Sequence, residues 1–572
     1  MKKTIYIVAA LLISTGIFAQ TQDSLLRRQM ELEREFNPTL QDANKINSLP
    51  AIPQPTVGKA NTGYSTWAGR TTPPLEIAIP QPAGIMTDIP FSMRKGYISL
   101  GAGNYANIDG ALGYRLIENE KSNLTFNFLH NSSNGDVSYV QNVDPASNKA
   151  FFMDNLGQLR YGHLLDAFRL NLKAAYSHSA FNYYGNTFGN ERTFNNENQT
   201  LGVFNLGLGV ESNPSDFMNY RGHLDFKNFT TKYGSTLSAA GLKGNQIDAM
   251  VGLDKPFQDG GSRVGVDGKF LGVFYNEGMD DFMLLNANPY IGFEGLNWKA
   301  RLGADLIFQM LGGTKFRVAP NVELGLKVTE HSSLYANIKG GIDDNTYLNM
   351  MAESRYISPM TPVKSSFSIV DIEAGAKIGE ASGFRFDIFG GFKKTEDEHF
   401  LVLLPIQRPI DPGTGFGNAI FKESLQPIYG NLSHSHIGGM IQTNIWAPLD
   451  IALRLKKNFY MVKDITGFEM TVPEPKAYNK PGFETDIRAT FEAMNNLKFT
   501  LNYYFAGDRW SFNSLNVKMD NINDLSFGAV YDINDSFAIN VKANNLLFQK
   551  YDIWYGHPAQ GFNAMGGFTF KF

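Results

Sequence analysis

The chain has 572 residues, 51 Lys and Arg against 55 Asp and Glu, a formal net charge of -4 and no cysteine. So mild a balance sets nucleic acid aside as a partner, and the missing thiol excludes both a structural disulfide and a lipidated N-terminal cysteine. Aromatics at 13%, 56 glycines and only 43% hydrophobic residues suit a membrane barrel, in which half of each strand faces lipid and half a polar interior.

In chain order, Lys2 and Lys3 precede an apolar run from Ile5 to Ile13, and Ala19 stands at the expected cleavage point. Residues 1–19 read as a secretory signal peptide. Removing its two lysines takes the net charge from -4 to about -6. No later apolar stretch approaches the ~20 residues of a spanning helix, which excludes a helical inner-membrane protein. The remaining classes are periplasmic, secreted and outer-membrane β.

Residues 20–95 form an N-terminal extension. Arg27, Arg28, Glu31, Glu33, Arg34 and Glu35 surround Leu25, Leu26, Met30 and Leu32, a pattern that fits a short helix or an extended segment equally. Pro53, Pro55, Pro73, Pro74, Pro80, Pro82 and Pro90 follow too closely for an independent helical or sheet domain, so an extended or irregular chain is expected. Trp67, Leu75, Ile77, Ile79, Ile85 and Met86 are apolar groups that a solvated linker does not need, so the extension is expected to occupy the lumen or dock a periplasmic partner.

From residue 96 to 572 one motif recurs, about ten residues of apolar and polar alternation between turns. Trp298, Ala300, Leu302, Ala304, Leu306 and Phe308 share a face against Lys299, Arg301, Gly303 and Asp305, and Phe168, Leu170, Leu172 and Ala174 oppose Arg169, Asn171 and Lys173. Tight connections are expected near 118–121, 164–167, 212–217, 258–261, 295–297, 330–332, 380–383, 447–450, 494–497 and 534–536. Between them fall generally longer ones, near 132–154, 185–198, 343–362, 394–430, 464–481 and 549–560. Ten short turns on the side of both termini imply about 22 strands, and the strands placed near 96–103 and 517–531 set a range of about 20–22. The expectation is an all-β protein, a large closed antiparallel transmembrane β-barrel, because hydrocarbon offers no partner to an open strand edge.

Phe568, Phe570 and Phe572 alternate with Thr569 and Lys571 and end the chain on an aromatic, which looks like the signal that barrels present to the insertion machinery. Trp298 and Trp446 fall beside short turns and Trp510 and Trp554 near outer strand ends, where indoles favour lipid headgroups. With the strand estimate, the short turns and the closing segment Tyr555-Gly556-His557-Pro558 followed by 561–572, the pattern resembles the TonB-dependent-receptor-like barrels of Bacteroidota outer membranes. That resemblance implies an outer-membrane location. It also marks a departure, because such receptors carry a plug domain of more than a hundred residues and the 76 residues from 20 to 95 are proline-rich and too few. Something else, whether this segment, inward-folded loops or a partner, is expected to occlude the lumen.

Candidate site residues lie on the lumen-facing parity. Arg221, His223, Asp225 and Lys227 form one ladder, in which Asp225 could orient His223; Arg263, Asp267 and Lys269 form another, and Arg385 with Asp387 repeats the mixture. Mixed signs fit a laced wall better than an ion-selective constriction. His434 and His436 could place two imidazoles on one metal, but no third ligand can be named. No nucleophile is identifiable, so no catalytic, cofactor or metal site is assigned. Phe400 to Pro405 are too apolar for a solvent loop and would extend a strand, fold into the lumen or meet a partner. Expected partners are outer-membrane lipids, the insertion machinery and a periplasmic or surface lipoprotein. Two functions compete, a transport-related barrel for a small or medium solute and an accessory scaffold in an outer-membrane assembly.

Overall fold

The computed structural model describes residues 94–572 except 144–145, 187–197, 215–216, 235–239, 258–260, 277, 311–314, 360, 380–382, 404–423, 467–471, 473 and 514. The expected signal peptide and nearly all of the extension lie outside the described residues.

Among the described residues a 22-stranded antiparallel sheet closes on itself. Its strands are Gly96–Gly103, Ile108–Glu118, Ser122–Ser138, Ser147–Leu164, Phe168–Phe181, Gln199–Ser212, Asn219–Thr231, Lys243–Pro256, Ser262–Tyr275, Phe282–Glu294, Trp298–Met310, Lys315–Thr329, Ser332–Asp343, Ser366–Gly379, Phe384–Leu403, Leu425–Thr443, Leu449–Thr466, Phe483–Met494, Leu497–Gly507, Ile522–Asn534, Phe537–Asn544 and Asn563–Lys571. Closure runs through the first and last strands, with Ile98 opposite Phe570 and Leu100 opposite Phe568. All ten expected tight turns fall between consecutive strands at one end. An outward belt of exposed Leu206, Leu208, Leu224, Val251, Val264, Val266 and Leu302 faces away from the lumen. Apolar side chains spread on the outside of a closed barrel are stable only in lipid, so this is an outer-membrane barrel.

Strand length divides the wall into two storeys. The first strand has 8 residues and Phe384–Leu403 has 20, whereas a tilted strand crosses hydrocarbon in ~9–11. The excess stands above the membrane on one side of the barrel. Described parts of two expected long loops are therefore strand. The stretch 132–154 is a hairpin in which Ser138 pairs with Ser147, and 394–430 continues the sheet until Leu403 meets Leu425. Phe400–Leu403 thus form a strand overhang, one of the three alternatives.

Two further expectations are corrected. The strand placed near 517–531 begins at Ile522, while Leu515–Met519 pairs with Arg509–Asn513 in a separate outer hairpin. Alternation continues through both pieces, so periodicity alone could not separate them. Trp554 is not a membrane anchor but lies 5% exposed in an interior cluster, and Trp510 packs on the second outer cluster between Lys476 and Lys518. Trp298 and Trp446 remain exposed beside their turns.

Candidate functional site

The inner wall changes character along its height. Near the end with short turns it is charged and internally paired. Asp267 accepts from Arg221 at 2.5 Å and from Arg301 at 2.8 Å, which also stacks its guanidinium 3.9 Å over Tyr290. Asp305, 6% exposed, accepts amide protons from Asn286, Asn288 and Asn321 at 2.9, 3.2 and 3.1 Å. Lys227 reaches Asp248 at 3.1 Å, His223 bonds Asp225, and Arg263 faces Glu294 at 3.7 Å. Pairing between neighbours in register satisfies these charges without a bulk counter-ion.

Higher up the same inner parity turns apolar: Phe229 follows Lys227, Leu271 and Val273 follow Lys269, and Ile307 follows Asp305. These side chains need a partner, and the chain provides one by folding its 344–365 connection into the barrel. Its helix, Tyr347–Glu353, is capped by Thr346, whose hydroxyl accepts from the Asn349 amide, and ends at Ser354. Tyr347, Met350 and Met351 are its buried residues, at i, i+3 and i+4, on one face. They join one core with Phe181, Phe229, Leu271, Val273, Leu284, Ile307, Ala319 and Ile342. Wall strands from so much of the perimeter can share a single core only if the helix lies within the lumen.

Polar contacts fix this cap. The Asn345 carboxamide, in the left-handed region at φ 43°, donates to the Lys364 carbonyl at 2.9 Å and to Ser366 Oγ at 2.7 Å, tying the two ends of the loop together. The Tyr347 amide donates to the Tyr275 hydroxyl at 3.2 Å, and Arg355 donates to Asp154 at 3.0 Å while lying 4.7 Å over the Phe152 ring. Lys269 approaches Asp344 at 3.9 Å, so one sequence candidate serves the cap and not the wall. Glu353 binds His399.

The last outer connection meets the cap. Its short hairpin, Asp552–Trp554 with His557–Pro558, stacks the His557 ring on Tyr356 at 4.7 Å, and Tyr184 stands edge-on to both. Gly185 is required there, because a Cβ would lie 2.4 Å from the His557 ring. Burial pushes the His557 imidazole down to about 4, so it stays neutral, and raises the Asp552 carboxyl to about 6 despite the neighbouring Arg509.

A second core closes the overhang on its other side. Leu401 and Leu403 belong to the cap core, whereas Phe400 and Val402 pack with Ile428, Leu432, Val462, Tyr478 and Phe512. Glu398, on the fifteenth residue of its strand and above the hydrocarbon span, is ion-paired with Lys480 at 2.9 Å, both nearly buried. Burial alone would raise this carboxyl, but Lys480 and Lys393 outweigh it and hold it down near 2.

His434 and His436 lie 5.3 Å apart in a ring ladder with Tyr460 and Phe389, His434 bonding Asn458 at 3.0 Å and His436 3.6 Å from Glu373. No group of three or more metal-ligating side chains converges among the described residues. Phe568, Phe570 and Phe572 are exposed on the outward face. Arg301 and Asp305, read from the sequence only as the polar face of their strand, and Asp248 and Glu373, not singled out there, join the candidates through cross-strand contacts. Sequence reasoning missed the cap helix, whose seven residues are too short for a periodicity signal.

No protein-family model matches the chain, and no curated protein matches it in sequence. Solved structures do match its shape. A ferric enterobactin receptor of Pseudomonas aeruginosa superposes with TM-score 0.60 at 10% identity, over 83% of this chain and 81% of that one. A ferric-catecholate import receptor of E. coli gives 0.59 at 9%, over 84% and 82%, and a siderophore receptor of Acinetobacter baumannii 0.59 at 10%, over 84% and 80%. At these identities the likeness is one of fold. The 22-strand closed barrel resembles those of TonB-dependent outer-membrane receptors.

Proposed function

We propose that this protein is a gated outer-membrane barrel with a transport-related role, plug-less and receptor-like, and related to the Bacteroidota barrels that its closing segment resembles. The carrying observation is the inward-folded 344–365 cap above a polar, charge-paired wall. A polar lumen is a path for a hydrophilic solute, and an apolar seal at its outer mouth closes that path at rest. The mixed ladder of Arg221, His223, Asp225, Lys227, Arg263, Asp267 and Lys269 supplies hydrogen bonds of both senses along the path, and His434 and His436 are structural rings of the wall. Phe568, Phe570 and Phe572 serve recognition by the insertion machinery, with outer-membrane lipids as the solvent of the belt.

Planar-bilayer conductance tests the reading. Intact protein is expected to remain closed, and deletion of residues 345–363 to give stable, large openings. If the deletion variant is folded and still closed, the transport reading fails. The accessory-scaffold reading draws on the size of the seal, since Tyr347, Met350, Met351 and Ile357 each bury an apolar side chain worth roughly 1.5–3 kcal/mol. Stoichiometric co-purification of a periplasmic or surface lipoprotein with a permanently closed barrel would favour it. Residues 20–95 are proposed to occupy the lumen or dock such a partner, and removing 37–90 is expected to change leakage or partner recovery.

A further inference from the structure

Most inner-wall cations described above are answered by a carboxylate. Two are not. Arg160 and Lys173 stand directly opposite each other on the paired strands Ser147–Leu164 and Phe168–Phe181. Both lie on the inner parity, Arg160 sharing it with Asp154 and Lys173 with the cap-core residue Phe181. Like charges placed opposite each other in an antiparallel pair repel.

Their cross-strand neighbours give neither cation a bonded counter-charge. Thr125 is the next residue beyond Arg160 and Gly207 the next beyond Lys173. The carboxylate across Gly207, Asp225, bonds His223 through Oδ2, while its Oδ1 lies at Gly207 beside the Lys173 side chain without a hydrogen bond. Neither cation has an ion pair or hydrogen bond among the described residues. Arg160 is exposed to the lumen and Lys173 half-buried. One step away on the same face lie the amide side chains of Gln158 and Asn171, and Arg169 follows two positions below Lys173, opposite Glu211. The pair sits four and five residues from the strand ends at Leu164 and Phe168, in the part of the lumen nearest the short turns.

We infer that Arg160 and Lys173 form a binding site for an oxyanion, a carboxylate or phosphate group of a solute in the periplasm-facing lumen. A guanidinium offers such a group a planar, two-pronged set of donors and an ammonium adds a movable point charge, so together they take two oxygens of one anion. The amides of Gln158 and Asn171 flank the pair, one register step to either side. The site goes beyond the transport reading, because binding is expected whether or not the lumen conducts.

Citrate, titrated calorimetrically into the full-length protein in a non-ionic detergent, is the probe. Saturable binding that weakens as ionic strength rises is expected. The double variant Arg160→Gln/Lys173→Gln, checked for the heat-modifiable gel shift of a folded barrel, should bind at least ten times more weakly. Lys498→Gln, which removes a cation already paired with Glu492 at 2.6 Å, should leave the affinity unchanged. Absence of saturable citrate binding to the unaltered protein, or equal affinity in the double variant, overturns the site, and neither result bears on the conductance test.

Discussion

The lower and upper storeys of this barrel are made from the same strands, yet they meet opposite demands. In the lower storey, Leu206, Leu208 and Leu224 face lipid while Arg221, Asp225 and Lys227 face the lumen, so each strand keeps one apolar and one polar side. In the upper storey, Phe400 and Val402 are buried on one side and Leu401 and Leu403 on the other, so that the strand is apolar throughout. Alternation reports two different solvents on the two faces of a strand. A continuous apolar run reports burial on both faces, and in a membrane barrel that occurs only where the chain folds back on itself.

The largest effects should come from the upper storey. Tyr347→Ala removes a fully buried ring from the centre of the cap and should cost about 3–5 kcal/mol of cap stability, seen as protease cleavage within 344–365 of a barrel that still resists heat in its unboiled form. Tyr347→Phe sharpens the point. The Tyr347 hydroxyl is buried without a partner, so its loss should be neutral or stabilising, and a large loss would mean that a polar contact and not packing holds the helix. Lys480→Ala strands Glu398 in a buried site and should cost about 3–5 kcal/mol in the second core.

A substitution in the lower storey tests the other solvent. Leu208→Arg on the outward belt should cost about 2–4 kcal/mol of barrel stability near mid-membrane, measured by detergent-to-denaturant unfolding, and should leave the cap untouched. Equal damage to both storeys would dissolve the distinction between them.

Acid should act on the upper storey through Glu398. Its carboxyl is held near 2 against an ordinary value of 4.5, so its stabilisation is complete above pH 4.5 and is lost as pH falls towards 2. Comparing the protein with Glu398→Gln isolates this group. The stability gap between them should be constant above pH 4.5 and close below it, and a gap that widens on acidification would reverse the assignment. The smallest expected change is Thr346→Ala. The cap bond from the Asn349 amide is long at 3.4 Å, which puts the cost at the low end of the usual cap range, about 0.5 kcal/mol.

Most of the barrel was legible in the sequence because its physics is local. Lys299, Arg301 and Asp305 between Trp298, Leu302 and Leu306 state the two faces of their strand, and each of the ten tight turns interrupts a visible period. The anchoring assigned to Trp554 failed for the complementary reason. A tryptophan at a strand end satisfies a headgroup region and an interior core equally well, and only the path of 545–562 over the mouth sent it inward.

The candidate site divides along the same line. The sequence by itself determined the class of fold, the strand count within its range and the parity of Arg221, His223, Asp225 and Lys227, since a period of two needs no knowledge of neighbouring strands. Only tertiary structure decided which charges meet. Arg221 reaches Asp267, 46 residues away, because the strands between them stand side by side, and Arg160 faces Lys173 because a short turn sets their register. The cap belongs wholly to that second category. Seven helical residues nucleate nothing alone, and they form a helix here because Phe229, Leu271 and Ile307, drawn from three separate strands, leave an apolar hollow that water will not fill.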